Sequence, residues 1–270
     1  MQGEKRVLRK ILIVICLIVF CGSGYYVFRY VFDNISAEKT LEQIAESKER
    51  GLEEVYAKND DLVGWVEIED TKIDYPVMQT AGGSGERDPE FYLHRDFNKE
   101  SSESGTPFLD SYSSIAGATK VLNEKSGRTH IAGESTWNWL IYGHHMKFGT
   151  MFHDLMEFED KSFWEEHRTF RFDRIDIGRD GSVSEINEEY EIIAAAYSKI
   201  YPDASKAFKY YTYAGDYDEE SFDEFLSGIK AEACYDTGIS ASYGDQLVTL
   251  STCAYHTDNG RFYVVGKRIE

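Results

Sequence analysis

The sequence predicts a mainly β fold, an antiparallel-rich β-barrel decorated by a few helices. Short segments rich in Val, Ile, Tyr, Phe and Trp recur along the chain and are typical of strands. We expect strands within residues 62–68, 71–78, 91–94, 106–110, 137–146, 188–200, 245–252 and 261–269. Helical periodicity is confined to a few stretches, and many short strands with few helices favour a barrel.

Four stretches favour helices. Residues 33–58 are polar and charged with apolar side chains at roughly helical spacing, so we expect a helical stalk that Gly51 breaks in two. Residues 149–158 also favour a helix. The Ser-x-x-Glu spacing of a capping box predicts that two more helices begin near Ser162 and Ser221. The last helix has one apolar face, made of Phe222, Phe225, Leu226, Ile229 and Ala233.

Two segments lack a regular pattern. Residues 80–90 are rich in glycine and charge and predict a loop. Residues 111–136 are rich in Ser, Gly and Ala and predict a long, mobile surface excursion.

Length and charge limit the possible functions. The chain has 270 residues, which suggests one large domain or two small ones, and its formal net charge is −19. Such a surface repels phosphate backbones, so nucleic acid is not an expected partner. The charge indicates nothing more specific than solubility.

The N-terminus predicts a membrane anchor. A basic cluster precedes an apolar run from Ile11 to Phe28, about 18 residues and so near the lower limit for spanning a bilayer. The basic residues place 1–10 in the cytoplasm and the rest of the chain outside. A cleaved signal peptide fits less well because its small-x-small site is weak. A lipoprotein signal fits poorly because bulky Phe20 precedes Cys21.

The cysteines leave two alternatives open. Cys16 and Cys21 lie in the apolar run, so the exported part of the chain holds only Cys234 and Cys253. Two cysteines in a chain of this size are not a disulfide framework. They form a single disulfide, or one of them is a reactive thiol.

Cys253 ends one predicted strand and Arg261 opens the next. Side chains alternate between the faces of a strand, so Cys253 shares a face with Thr249 and Ser251. Seven loop residues separate Cys253 from Arg261, which lets the two strands pair and bring both side chains to one end of the sheet. A cysteine nucleophile needs a stabilised thiolate or a nearby base, and acyl transfer needs a donor for the developing oxyanion. An arginine supplies both positive charge and N–H donors.

The base of such a site must come from seven histidines. His144 and His145 follow a predicted strand and a glycine, so a side chain there can face a cleft. His94, His153 and His167 lie in charged or helical contexts typical of surface residues. The residues alone leave two interpretations: a Cys–His–Arg acyl-transfer site, or a buried structural cysteine beside a strand-end cation and a turn histidine.

Several segments together resemble the class B sortases. TLSTC, followed by an arginine that opens the last strand, resembles the sortase signature, and IYGHHMKFGTMF resembles the histidine segment of class B. NDDLVGWVEIEDTKIDYPVMQ resembles the entry into the barrel, and FYLHRDF, GTPFLD and SFWEEH match further blocks. The resemblance runs from about residue 40 to the C-terminus, interrupted by 111–136, which is longer than is usual in the family.

The resemblance implies a closed eight-stranded sortase β-barrel, an N-terminal helical extension and a helix before the cysteine-bearing strand. We therefore divide the chain into a cytoplasmic tail (1–10), a transmembrane signal-anchor (11–28), a helical stalk (33–58) and a catalytic barrel (59–270).

Carried over by motif, the resemblance makes Cys253 the nucleophile and His144 the general acid/base. It makes Arg261 the group that holds the substrate and stabilises the oxyanion. His145, at a position where asparagine is common in the family, is the alternative base. The weaker candidates for substrate binding are Ser251, Thr252, Tyr255 and Asp258.

The implied activity is that of a membrane-anchored transpeptidase. It cleaves a C-terminal sorting signal of the LPxTG or NPxTN type after threonine and joins the protein to a peptidoglycan amine through a thioester. The expected partners are secreted proteins with such a signal and a cross-bridge amine or its precursor, at the cell membrane facing the wall. No cofactor is expected, since HExxH and CxxC patterns are missing. The Asp and Glu residues scattered along the sequence neither indicate nor exclude a calcium-binding site.

Three alternatives stay open. A pilin-polymerising sortase uses a lysine of another pilin, although the lid and C-terminal membrane segment of such enzymes are not evident. A cysteine protease resolves the thioester with water. A membrane-tethered cell-wall binding module pairs Cys253 with Cys234 in a disulfide.

Overall fold

A computed structural model describes residues 2–80, 88–123, 128–215 and 218–269. Parts of the predicted loop (81–87) and of the predicted excursion (124–127) lie outside the described residues. The strands are β1 (Leu62–Glu67), β2 (Asp74–Met78), β3 (Phe108–Leu109), β4 (Lys120–Asn123), β5 (Arg128–Ile131), β6 (Asn138–Tyr142), β7 (Thr169–Ile177), β8 (Val183–Ile186), β9 (Glu189–Lys199), β10 (Leu247–Cys253) and β11 (Gly260–Arg268). The α-helices are α1 (Gln2–Lys48), α2 (Leu52–Tyr56), α3 (Lys161–Glu166) and α4 (Glu219–Glu232). Short 3₁₀ helices span Phe91–His94, Asp154–Glu159 and Tyr210–Thr212.

Strand pairing closes a β-barrel. The strands follow the order β1-β2-β3-β6-β10-β11-β9-β7, and β7 pairs back onto β1, which makes a ring of eight. β8 extends the sheet from β7 as a ninth strand. Most neighbours are antiparallel, but β6 and β10 run parallel, as do β2 and β3. The predicted closed eight-stranded barrel is confirmed.

Alternation along the strands divides the apolar side chains between two clusters. Val248 and Leu250 of β10 belong to the main core cluster, together with Trp139 and Phe172. Side chains of the opposite face belong to a second cluster, which includes Leu247, Tyr263 and Val265. The predicted apolar face of α4 covers that second cluster with Phe222, Phe225 and Ile229. The strand faces therefore follow the predicted alternation.

The N-terminal helix docks on the barrel through its last turns. α1 runs without interruption to Lys48, and Gly51, at φ 115°, separates it from α2 as predicted. Ile44 is only 3% exposed, and Lys48 Nζ lies 2.8 Å from a carboxylate oxygen of Glu67. At the other end of α1, Arg9–Arg29 has the length and composition to cross a membrane, with a mean hydropathy of 2.5 and no part of it buried.

Some sequence predictions were wrong. Residues 91–94 form a 3₁₀ turn rather than a strand: Leu93 N donates to Glu90 O (2.9 Å), and the buried Tyr92 donates from its hydroxyl to Asp61 Oδ2 (2.8 Å). The serines of the two capping boxes do not cap their helices. Asp160 Oδ1 accepts from Ser162 N (2.8 Å) and Asp218 Oδ1 accepts from Ser221 N (3.0 Å), so each helix begins earlier, on an aspartate. Strands β7 and β8 were not predicted.

The 111–136 segment is more ordered than its composition indicates. It contains an antiparallel hairpin of β4 and β5. Ile115 and Ala118 are buried, and Gly117 O accepts a hydrogen bond from Ile177 N (2.7 Å). Lys120 Nζ lies 2.6 Å from Asp60 Oδ2. These contacts hold the described part of the segment against the barrel.

We predict that Ile44→Ala lowers the free energy of unfolding of the full-length protein by about 2–4 kcal/mol, because it leaves a cavity between α1 and the barrel. Urea unfolding in detergent micelles, followed by tryptophan fluorescence, measures the change. The exposed Glu46 is the control, since Glu46→Ala should alter stability by less than about 0.5 kcal/mol. Equal stabilities of the two variants would contradict the docking of α1.

Candidate active site

Three chain segments converge at one edge of the barrel. Cys253 is the last residue of β10 and lies directly opposite Arg261 at the start of antiparallel β11. β6 pairs with the other side of β10 in parallel, with Tyr142 opposite Ser251. Parallel strands end at the same edge, so His144, two residues beyond β6, emerges next to the end of β10. The predicted proximity of Cys253 and Arg261 is therefore present.

A cavity of about 280 Å³ opens at this edge. Cys253, His144 and Arg261 all line it. Its other walls are mostly apolar and aromatic, which is typical of a binding site with a few convergent polar groups. The remaining lining residues are Pro89, Glu90, Leu93, Phe108, Asp110, Ser111, Tyr142, Gly143, Ile200, Tyr211, Ser251 and Thr252.

The surroundings of His144 favour its neutral form. Burial lowers the pKa of the ring, and the nearby His94, with ring centroids 6.1 Å apart, lowers it further. Nε2 lies 2.8 Å from Leu93 O. Because a carbonyl oxygen only accepts, Nε2 of the neutral ring carries the hydrogen, and Nδ1 is the nitrogen able to take up a proton. His144 is thus suited to act as a base.

Arg261 offers an uncommitted positive charge to the cavity. Its Nη1 donates to Gly260 O (2.9 Å). No carboxylate in the described part of the chain forms an ion pair with it. The guanidinium therefore keeps N–H donors and charge for an anionic group bound beside Cys253.

Ser251 and Thr252 line the cavity, but their hydroxyls are engaged within the protein. Ser251 Oγ is hydrogen-bonded to Tyr210 Oη (2.7 Å), and the Tyr210 ring stacks on Tyr263 at 4.2 Å. Thr252 Oγ1 donates to Gly143 O (2.8 Å) and so ties β10 to the residue before His144. Both residues therefore form part of the cavity wall.

Tyr255 and Asp258 do not line the cavity. Asp258 is exposed in the loop between β10 and β11. Tyr255 is 72% exposed, and its ring lies 5.3 Å from that of His145. His145 is also outside the cavity wall, and its Nδ1 contacts the main-chain oxygen of Cys253 instead. The geometry therefore favours His144 over His145 as the base.

An acid–phenol pair in the cavity wall was not predicted from the sequence. Tyr142 Oη donates to Asp110 Oδ2 (3.0 Å), and Asp110 Oδ1 accepts from Tyr112 N (2.8 Å). Burial raises the pKa of the Asp110 carboxyl, and these hydrogen bonds oppose the rise. The position of Asp110 at the end of a predicted short strand was the available signal, because strand ends meet at the cavity.

A disulfide between Cys234 and Cys253 is not present. Both thiols are free. β10, β11 and β9 are successive neighbours, and the bridge of Ala196 to Ala233 puts Cys234 beyond β9. Three strand spacings of about 4.8 Å each therefore lie between the two cysteines, whereas a disulfide needs Cα atoms less than about 7 Å apart.

No metal centre is evident. Across residues 2–80, 88–123, 128–215 and 218–269, no group of three or more His, Cys, Asp or Glu side chains is arranged to hold a metal ion.

We predict that His144 makes stability depend on pH. Burial lowers its pKa in the folded protein, so the unfolded chain takes up this proton at higher pH, and stability falls as the pH drops below about 6.5. His144→Gln should therefore flatten the decline in the free energy of unfolding between pH 7.5 and 5.5. The same substitution at the exposed His130 should leave the slope of unfolding free energy against pH as it is in the wild type. Parallel slopes for wild type and His144→Gln would contradict the prediction.

Comparison with known proteins identifies the family. Models of known protein families give no match. The chain is 28% identical to sortase B of Listeria monocytogenes over 280 residues, covering 98% of both proteins. A solved structure of sortase B from Listeria monocytogenes is 30% identical, with a TM-score of 0.57, and the match covers 80% of this chain and 99% of that one. A Staphylococcus aureus sortase B–substrate complex has the same fold, with 21% identity and a TM-score of 0.66. The match covers 88% of this chain and 99% of that one. The chain therefore belongs to the sortase B family of cysteine transpeptidases.

Proposed function

We propose that this protein is a membrane-anchored transpeptidase that attaches proteins with a C-terminal sorting signal to peptidoglycan. In this proposal Cys253 is the nucleophile, His144 the general acid/base, and Arg261 the residue that holds substrate and stabilises the oxyanion. The observation that carries the proposal is the convergence of these three side chains on one cavity.

The first half-reaction forms a thioester. The sulfur of Cys253 attacks the carbonyl carbon of the signal's threonine, and its proton passes to His144. The N–H groups of Arg261 stabilise the negative charge that develops on the carbonyl oxygen. When the Thr–Gly or Thr–Asn bond breaks, protonated His144 gives its proton to the leaving amine. The neutral ring that burial favours matches the state needed to begin this step.

The second half-reaction transfers the acyl group. An amine of a peptidoglycan cross-bridge or its lipid-linked precursor attacks the thioester carbon, and the C–S bond breaks. His144 takes a proton from the incoming amine and passes it to the departing sulfur, which restores the thiol of Cys253 and the neutral ring. The products are an amide and the free enzyme, so no further reactant is required.

The cavity walls suit the apolar part of a sorting signal. Leu93, Phe108 and Ile200 line the cavity together with the Tyr211 ring. An LPxTG or NPxTN peptide presents a proline that follows leucine or asparagine, and apolar and aromatic walls bind the proline ring and a leucine side chain by burial. Ser251 and Thr252 then support the wall. Tyr255 and Asp258 lie outside this cavity wall.

The placement at the membrane rests on α1. Its span at Arg9–Arg29 has the length of an anchor, and its last turns dock on the barrel. In the proposed arrangement residues 1–10 are a cytoplasmic tail, 11–28 cross the membrane once, 33–58 form the stalk and 59–270 form the catalytic domain. The barrel then faces the wall, where it meets both substrates.

Two alternatives differ only in the group that resolves the thioester. A pilin-polymerising enzyme uses a lysine amine, and a cysteine protease uses water. The binding-module alternative needs a Cys234–Cys253 disulfide, and the two free thiols and their separation speak against it. Product analysis separates the remaining alternatives.

We predict that the full-length protein in detergent cleaves a fluorogenic peptide with an LPxTG, NPxTN or SPxTG core, and that Cys253→Ala abolishes cleavage. Removal of the nucleophile leaves no route to the thioester, so the residual rate should be at least about 10³-fold lower. Mass spectrometry of the products, with and without oligoglycine or a lysine peptide, identifies the acceptor.

Cys234→Ala is the matched control for that experiment. It removes the other cysteine outside the membrane span and should keep wild-type cleavage. Equal cleavage by wild type and Cys253→Ala, or loss of cleavage in Cys234→Ala alone, would refute the assignment of the nucleophile.

A further inference from the structure

The pairing of β10 with β6 stops just before Cys253. Ser251 O still accepts a hydrogen bond from Gly143 N (3.0 Å). Carbonyl groups two residues apart point to the same side of a strand, so the next acceptor on this side is Cys253 O. β6 ends at Tyr142, and the chain then turns away towards the bridge between His145 and Met151. The main chain of that segment does not pair with the next carbonyl of β10.

A side chain supplies a donor in that place. His145 Nδ1 lies 3.0 Å from Cys253 O. The carbonyl only accepts, so Nδ1 carries the hydrogen and donates it. The imidazole thus continues the β6–β10 ladder by one hydrogen bond, and this bond falls on the residue that carries the thiol.

The His145 ring is itself held in place. His153 packs against it edge to face, with ring centroids 4.8 Å apart at 65°, and the Tyr255 ring lies 5.3 Å away in a tilted arrangement. The loop that carries His145 is closed by a hydrogen bond from Phe152 N to His144 O (2.9 Å). These contacts restrict the movement of the His145 ring, and the hydrogen bond from the ring in turn restricts the carbonyl of Cys253.

We propose that His145 is a positioning residue that anchors the main chain of Cys253 and so aims its thiol into the cavity. Cys253 lines the cavity and His145 does not, so His145 acts through Cys253 rather than on the substrate. The kinetic consequence of this contact rests on the proposed function. The contact itself, and its effect on the order of the end of β10, are independent of the proposed function.

Two substitutions of nearly equal shape separate the hydrogen bond from packing. In His145→Asn the amide nitrogen takes the place of Nδ1 and still donates to Cys253 O. In His145→Leu a methyl group takes that place and donates nothing. Both variants are made in the full-length protein, and their melting temperatures are compared with that of wild type to verify folding.

Steady-state kinetics with the cleaved peptide gives the first readout. We expect His145→Leu to lower kcat at least tenfold with KM within about twofold, because a misplaced nucleophile slows the chemistry without weakening the binding of substrate. His145→Asn should stay within about threefold of wild type. Equal kcat values for the two variants, or a change confined to KM, would overturn the proposal.

Hydrogen exchange gives a second readout that needs no activity. The peptide covering residues 252–262 should exchange faster in His145→Leu than in wild type, and at the wild-type rate in His145→Asn, because only the loss of the bond frees the end of β10. If wild type cleaves no peptide, the proposed function is wrong, and these rates still decide whether His145 holds Cys253. Identical exchange in all three proteins would overturn the anchoring role.

Discussion

β10 lies between a parallel neighbour, β6, and an antiparallel neighbour, β11, and the geometry of the site depends on these two pairings. The parallel pairing brings the residues after β6 to the end of β10. The antiparallel pairing puts the start of β11 opposite Cys253. A register shift of one residue would exchange the two faces of β10: Val248 and Leu250 would leave the main core cluster for the second cluster, and Cys253 would turn away from the cavity. The burial of the apolar face of β10 thus holds the thiol at the cavity.

The polar groups around the cavity are satisfied by one another, which limits their motion. Ser251 bonds to Tyr210, Thr252 to the carbonyl of Gly143, and Tyr142 to Asp110. Such buried networks are rigid because breaking any bond leaves an unpaired group in a medium of low dielectric constant. Arg261 lines the same cavity but forms no ion pair with a carboxylate of the described residues, so its guanidinium keeps N–H donors for a bound group.

The sequence predicted those features that depend on short-range periodicity. Alternation along β10 and the loop length before Arg261 were enough to predict their pairing, and a glycine after β6 indicated the cleft at His144. The turn at 91–94 was mistaken for a strand because its aromatic residues are typical of strands, whereas its main chain closes a turn from Leu93 N to Glu90 O. The hydrogen bond of His145 was not predicted, because its partner is the main-chain oxygen of Cys253, 108 residues further along the chain.

The central claim is that Cys253 carries an acyl group during turnover. The most direct measurement is intact-mass spectrometry of the full-length protein, quenched in acid after brief mixing with the cleaved peptide. We expect a mass increase equal to the peptide up to its threonine, mapped to Cys253 by digestion and lost when an amine acceptor is added before the quench. Turnover without any adduct on Cys253, or an adduct on another residue, would contradict the account.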